Sequence, residues 1–427
     1  MMPRPAMGAA PRESRQNRLP LVALLTANAI SQTGNYIAAI AIPWFVLQTT
    51  GSAAKTGISG FFAILPIVLA GFFGGVIVDR LGYRRTSILA DLASGLAVLL
   101  IPLLYFTLGL EFWQLLVLVF LGAFLDTPGA SAREAMLPEL ASLTNLSLER
   151  ATSLSQIVER GARLAGAALA GGLIALVGTA HALWVDAATF GVSAVIVAAF
   201  VRPQVHAQRP PEAHYWRELA EGLRFLRNDA LLLTIVVTVM VINGLDAAFG
   251  GVVQPVYVKT LYGSAFDLGL LVSMNGGGAV VGALIFAAVG HRFSRRLVFL
   301  AGFLLVSARY WAYLTYPSLA VLMLATFVTS IGAGPLNPII DAVRFERIPP
   351  GMRGRVFGTI QAGAWSAMPL GVLLGGFLTE RFGLQAMLIA LGGTYLLVTS
   401  SLAFLPAIRD VERGSLRVAE RKADSSP

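Results

Sequence analysis

The sequence predicts an all-α membrane protein with twelve spanning helices, arranged as two pseudo-symmetric six-helix bundles. Three observations carry this reading. Of the 427 residues, 56% are hydrophobic and only 13% charged, a balance too apolar for a water-soluble globule and normal for a polytopic helical membrane protein. Basic residues alternate between rich and poor loops along the chain. Landmarks of the first half recur in the second at a nearly constant offset. A spanning helix needs roughly 20 apolar residues, so the chain has room for about a dozen.

Residues 1–18 read as a basic cytoplasmic tail. Apolar stretches follow at 19–47, 56–78, 86–108, 112–132, 151–177 and 181–201, an N-terminal bundle over 19–201. The segment 202–229 is a cytoplasmic linker. After Pro210-Pro211 it places Trp216, Leu219, Leu223 and Leu226 on one helical face, with Arg217, Glu218, Glu221, Arg224 and Arg227 elsewhere. That pattern predicts an amphipathic helix lying on the membrane surface and serving as a tether. The C-terminal bundle spans 230–406, with stretches at 230–258, 265–289, 297–316, 318–343, 356–379 and 384–406. A charged cytoplasmic tail, 407–427, closes the sequence.

Twelve crossings put both termini on one side. That side collects 26 lysines and arginines, the opposite loops hold only Lys55, Lys259 and Arg381, and Arg160, Arg163 and Arg309 fall within spans. The asymmetry predicts cytoplasmic termini and makes the net charge of +9 a matter of anionic lipid rather than nucleic acid. No cysteine is present, which excludes disulfide and thiolate chemistry. The first span lacks a small-residue cleavage pattern, so no removable signal peptide is expected. There is no phosphate-binding glycine loop with lysine, no His-Glu-x-x-His and no serine–histidine–acid arrangement, and the four histidines sit in or near loops. Neither an enzyme, a cofactor nor a metal site is indicated.

The repeat is specific. Pro43, Gly51-Ser52-Ala53 and Gly57 recur as Pro255, Gly263-Ser264-Ala265 and Gly269, an offset of 212. Arg84-Arg85 recur as Arg295-Arg296 at 211, Gly122-Ala123 and Pro128 as Gly332-Ala333 and Pro338 at 210, and the glycine pairs 171–172 and 375–376 close the series at 204. Two bundles related by an axis along the membrane normal, with a cavity between them, are expected.

The stretch Gly71 to Arg85 leaves an apolar run for four charges in seven residues. It resembles the loop signature between the second and third helices of the major facilitator superfamily, matching at Gly75, Asp79, Arg80, Gly82 and Arg84, with Tyr83 where that family most often has a basic residue and Arg85 behind it. The resemblance implies a gate on the cytoplasmic side. The runs beginning at Arg133, Val185, Leu219 and Arg353 are similar to a branch holding macrolide-efflux-type drug exporters and the enterobactin exporter. That resemblance implies a proton-driven exporter and a cavity lined by the first, fourth, seventh and tenth spans.

Candidate residues follow from both lines. Asn28, Ser31, Gln32 and Asn35 form one helical stripe in span one, and Asn243, Asp246, Gly250 and Gln254 another in span seven. Facing lipid, such groups would cost several kcal/mol each, so they point inward, either lining a cavity or gluing helices. With Tyr36, Phe124 and Asn337 they are the cavity candidates. Asp246, near mid-membrane, Asp126 beside Pro128 and Glu159 at the start of span five are the proton-coupling candidates. Alternatives are a structural pairing of Asp246 with Arg309, a pairing of Asp126 with a loop arginine such as those near 84, and an i,i+4 pair of Glu159 with Arg163. Asp91 and Asp186 read as structural. The expected function is a monomeric secondary exporter of amphipathic small molecules in a bacterial cytoplasmic (inner) membrane, exchanging them for protons by alternating access. A siderophore or metabolite exporter without proton coupling, and a non-transporting lipid-handling or scaffold protein, are the competing readings.

Overall fold

The computed structural model describes residues 18–144, 146–201 and 215–412, without the side chains of 70–80, 215, 216, 218 and 409. The chain is all-helical over these residues. The order is α1 Leu19–Thr50, α2 Ala53–Leu81, α3 Tyr83–Thr107, α4 Phe112–Ser142, α5 Leu148–Val177, α6 Thr179–Phe200, α7 Tyr215–Asn228, α8 Ala230–Ala248, α9 Gln254–Leu261, α10 Ala265–Val289, α11 Arg295–Leu314, α12 Leu319–Ile331, α13 Leu336–Arg347 and α14 Arg353–Phe404. Nine segments among the described residues are long and apolar enough to cross a membrane. The first helix is equally long, but its polar stripe dilutes its apolarity.

Local chemistry sets the boundaries. Ser147, Asp229, Ser264 and Ser294 each accept from a backbone N–H at the start of α5, α8, α10 and α11, satisfying donors a helix start leaves free. Gly82 at φ 79° turns the chain between α2 and α3. Gly383 at φ 84° kinks α14, the left-handed region most residues avoid. A π-helical turn, Phe249–Val253, joins α8 to α9. Gly332, Gly334 and Pro335 separate α12 from α13.

One sequence expectation needs correcting. The apolar run of span four ends at 132, which places Arg133 among loop charges. The helix continues to Ser142, and Arg133 is 2% exposed inside the protein. Pro128 and Pro138 remove backbone donors without ending α4, and Thr127 Oγ1 donates to the Ala123 carbonyl beside the first of them.

In the first half α1 packs on α5 and α6, and α3 on α4 and α6; in the second α8 and α11 pack on α14, and α10 on α12. A contact type recurs. Arg84 Nη2 donates to the Ala198 carbonyl at the end of α6, and Arg296 Nη2 to the Ala403 carbonyl at the end of α14, each capping a helix C-terminus.

The halves meet mainly along α2–α14 and α5–α10. At the first crossing a Cβ on Gly57 would lie 2.8 Å from the Gly376 Cα. At the second a Cβ on Gly269 would lie 2.9 Å from the Gly171 Cα. Gly57 and Gly269 are repeat landmarks, as are the pairs 171–172 and 375–376, so the repeat positions meet across the interface. Small residues there let the backbones touch. Two charges close the same end. Glu380 of α14 accepts from Ser52 Oγ at 2.5 Å and from the Ala54 amide at 2.8 Å, at the start of α2. Lys259 of α9 donates to the Leu47 carbonyl near the end of α1. An anion sits at a helix N-terminus and a cation at a C-terminus, the favourable pairing with each helix dipole.

The opposite end is different. Glu159, Arg160, Gly161, Arg163 and Leu164 of α5 are exposed there. The contacts between the halves described above gather at the end carrying the α1–α2 turn, while this stretch of α5 is exposed. The linker helix α7 rests against α14 rather than on lipid alone: Gly222 abuts Thr359, and Glu221 pairs with Arg355 at 2.6 Å. Leu226 is buried, while Leu223 is exposed.

Candidate functional site: two buried arginines

Asp126 and Arg133 are seven residues apart on α4, two turns, and so share a face. Arg133 Nη1 pairs with Asp91 Oδ1 of α3 at 2.7 Å, and its Nη2 lies 3.5 Å from Asp126 Oδ1. The stripe on α1 completes the group. Arg133 Nε donates to Asn28 Oδ1 at 3.3 Å, and Asn35 Nδ2 donates to Asp126 Oδ2 at 2.9 Å. From α6, Ser193 Oγ donates to Asp91 Oδ2 at 2.7 Å. Asp91 is fully buried and Asp126 is 16% exposed. One oxygen of Asp126 and one guanidinium nitrogen of Arg133 lack a hydrogen-bond partner. The loop arginines near 84, one alternative the sequence left open for Asp126, are not its cation; Arg133, two turns along the same helix, is. That spacing was the signal available, masked by the end of the apolar run at 132.

The second group surrounds Arg309 of α11. Arg309 Nη2 donates to Asp246 Oδ1 at 2.7 Å, and Tyr310 Oη donates to the same oxygen at 2.9 Å. The guanidinium lies 4.8 Å from the Phe249 ring centroid and 5.2 Å from that of Tyr310, within cation–π range. Arg309 is 8% exposed but Asp246 is 40% exposed. The carboxylate therefore faces open space while its cation is wrapped in aromatic rings.

The other candidates divide. Gln254 is 5% exposed and donates to Tyr313 Oη at 2.8 Å; Asn243 Nδ2 donates to the Ala364 carbonyl at 2.9 Å, tying α8 to α14. Both hold helices together in this conformation. Gln32 is half-buried beside the stripe, and Asn337 is exposed on α13. Tyr36 lies under Arg163, 5.7 Å from guanidinium carbon to ring centroid. Glu159 is exposed on α5 and forms no ion pair with Arg163. Phe124 stacks on Phe120 with centroids 5.9 Å apart and planes within 10°. Of the gating signature, Gly82 and Arg84 have the roles given above and Arg85 is exposed, while the side chains of Gly75, Asp79 and Arg80 lie outside the described residues. No group of histidine and acid side chains among the described residues could hold a metal ion.

A family model described as transmembrane secretion effector matches residues 18–423. The chain is similar to the multidrug efflux pump Tap of Mycolicibacterium fortuitum, at 32% identity over 406 residues, covering 93% of this chain and 98% of that protein. It is similar to Tap of Mycobacterium tuberculosis at 33% over 404 residues, covering 93% and 96%. Macrolide efflux protein A of Streptococcus pyogenes is 21% identical over 410 residues, covering 94% and 98%. Two solved structures share the fold. The nucleoside transporter NupG superposes with a TM-score of 0.74 at 11% identity, covering 90% of this chain and 98% of that one. A bacterial homolog of the human lysosomal transporter Spinster, in an inward-facing and unoccupied conformation, gives 0.73 at 13% identity, covering 95% and 98%.

Proposed function

The chain belongs to the transmembrane secretion effector family of the major facilitator superfamily, and on that premise we propose that it exports drug-like amphipathic molecules across a bacterial cytoplasmic membrane in exchange for protons. The nine long apolar segments become twelve crossings when α1 and α2 are counted and α14 is divided at Gly383. Six on each side of α7 make the two bundles the repeat calls for, with both termini in the cytoplasm. The end where the halves meet is then the closed, outward one, and the opposite end opens to the cytoplasm. Substrate enters the gap between the halves, and the glycine crossings part to release it outside.

The observation that carries proton coupling is the imbalance around Arg133. Two carboxylates, Asp91 and Asp126, share this one guanidinium within the membrane, and the more accessible of them meets it only at 3.5 Å, without a hydrogen bond. A buried carboxylate without full compensation takes a proton rather than stay charged. Asp126 therefore gains and loses its proton as Asn35 on α1 and Arg133 approach or withdraw. The similarity to Tap and to macrolide efflux protein A favours drug export over the siderophore and scaffold readings.

Everted membrane vesicles test this. With a pH-sensitive dye quenched by respiration, adding lipophilic drugs or macrolides should restore fluorescence in the wild type and not in Asp126→Asn. Drug crossing with no dye response would replace antiport by facilitation. No movement of any such compound would remove the export reading.

A further inference from the structure

The N-terminal half holds a third buried acid. Asp186 of α6 is 0% exposed, and neither of its carboxylate oxygens has a hydrogen-bond partner. The neighbouring hydroxyl does not help: Thr189 Oγ1 donates to the Asp186 backbone carbonyl at 2.7 Å instead. The carboxyl is pressed against Gly34 of α1, where a Cβ would overlap both Asp186 Oδ1 and Thr189 Oγ1. Gly34 precedes Asn35, whose amide holds Asp126. One turn of α1 thus touches two acids on two different helices.

The charges facing this pocket can be named element by element. α1 carries no charged residue at all, α3 offers Asp91, and α4 offers Asp126 and Arg133. α6 itself adds only His181 near its start, and the charged residues of the membrane part of α5, Glu159, Arg160 and Arg163, are exposed. The nearest cation, Arg133, is already committed to Asp91 and Asp126. Ionised, Asp186 would be an uncompensated buried charge with the Asp126 carboxylate in reach, costing several kcal/mol after relaxation. Neutral, it needs only one weak partner. We propose that Asp186, seated against Gly34 of α1, is a proton-binding residue of this carrier that holds its proton in the inwardly open state and releases it when α1 shifts. The proposal rests on the proton-coupled reading above and adds a residue and a moving part to it. Because Gly34 and Asn35 lie on one turn, any displacement of α1 changes the surroundings of Asp186 and Asp126 together. A passive structural carboxyl would not be placed so that the same helix turn governs both.

The test is infrared spectroscopy of the purified full-length protein in lipid nanodiscs. Un-ionised carboxylic acids give a carbonyl stretch resolved from amide and carboxylate bands. The wild type and Asp246→Asn should show this band at neutral pH, and Asp186→Asn should lose the component that Asp186 contributes, the part that persists in Asp126→Asn. Should Asp186→Asn not yield folded protein, Asp186→Glu serves in its place, shifting the band rather than removing it. In parallel, Asp186→Asn should still let drug run down its own gradient but lose the dependence of efflux on the pH gradient. A band unchanged in Asp186→Asn, or unmoved in Asp186→Glu, overturns the proposal. So does a wild-type dependence on the pH gradient in Asp186→Asn. The band assignment needs no transport, so a wild type that moves no drug yet loses the band in Asp186→Asn would sink the export reading and leave this proton site standing.

Discussion

The two buried arginines make opposite arrangements from the same parts. Around Arg133, Asp91 and Asp126 lie within ion-pair distance of a single guanidinium, and Asp186 stands nearby with no partner. Around Arg309, one carboxylate meets one guanidinium, a tyrosine hydroxyl adds a second donor, and aromatic rings cover the cation. The first group has more acids than bases and is nearly closed to solvent. The second is balanced, and its acid is 40% exposed. A balanced pair has no reason to exchange a proton, whereas an acid-rich group must hold at least one to remain neutral. Under the proposed antiport, the division puts proton exchange in the N-terminal half. It leaves Asp246 as a half-exposed hydrogen-bond acceptor in a neutral pair, suited to orienting a substrate.

The largest way to break this comparison is to remove the cations. Arg133→Met leaves two acids without compensation and is expected to cost about 3–5 kcal/mol, the range for stripping a partner from a buried pair. Arg309→Met should cost less, because Asp246 can be hydrated where it stands. Thermal denaturation in detergent compares them; equal losses would erase the distinction. Next come the acids. Asp126→Asn should abolish drug accumulation driven by a pH gradient while leaving the downhill flux, and Asp246→Asn should raise the half-saturating drug concentration while leaving the pH dependence intact.

A smaller effect sharpens the account of the closed end. Gly376→Ala would set a methyl group 2.7 Å from the Gly57 Cα, so the α2–α14 crossing must loosen. The chain has no cysteine, which makes a single cysteine in place of Ile64, packed beside Val252 and Val372 at this interface, a clean reporter. Its labelling by an impermeant thiol reagent from outside should rise severalfold in Gly376→Ala. Unchanged labelling would mean that the crossing does not seal.

The smallest effect is at α7. Hydrogen bonding from Arg217, with the charge of Arg355, holds the Glu221 carboxyl below the ordinary glutamate range. The Arg217 contact lies within α7, so only the share from Arg355 favours docking; it is present above the unperturbed value, near about 4.3, and disappears as pH falls through the lower, docked value. Spin labels on α7 and α14 should therefore separate in acid in the wild type and show no such step in Glu221→Gln.

Much of the fold was legible because membranes impose strong rules. Apolar length and charge alternation marked the helices, and the repeat marked Gly57, Gly171, Gly269 and Gly376, which meet across the interface. The site was legible only in part. Asn28, Asn35 and Asp126 stood out as polar groups in apolar runs. Arg133 did not, because a charge at the end of an apolar run looks like a loop residue until the helix is seen to continue. Asp246 stood out for its depth, and Arg309, 63 positions later, as the partner in its structural alternative; the structure places the two 2.7 Å apart. Asp186 looked structural because only packing shows that its carboxyl lacks a partner.

The central claim, that protons are exchanged in the N-terminal half, is tested most directly by counting protons released when drug binds to purified carrier in weak buffer with a pH indicator. The account predicts release from the wild type and from Asp246→Asn, and none from Asp126→Asn. Release that survives in Asp126→Asn and vanishes in Asp246→Asn would contradict it and return the proton to the C-terminal pair.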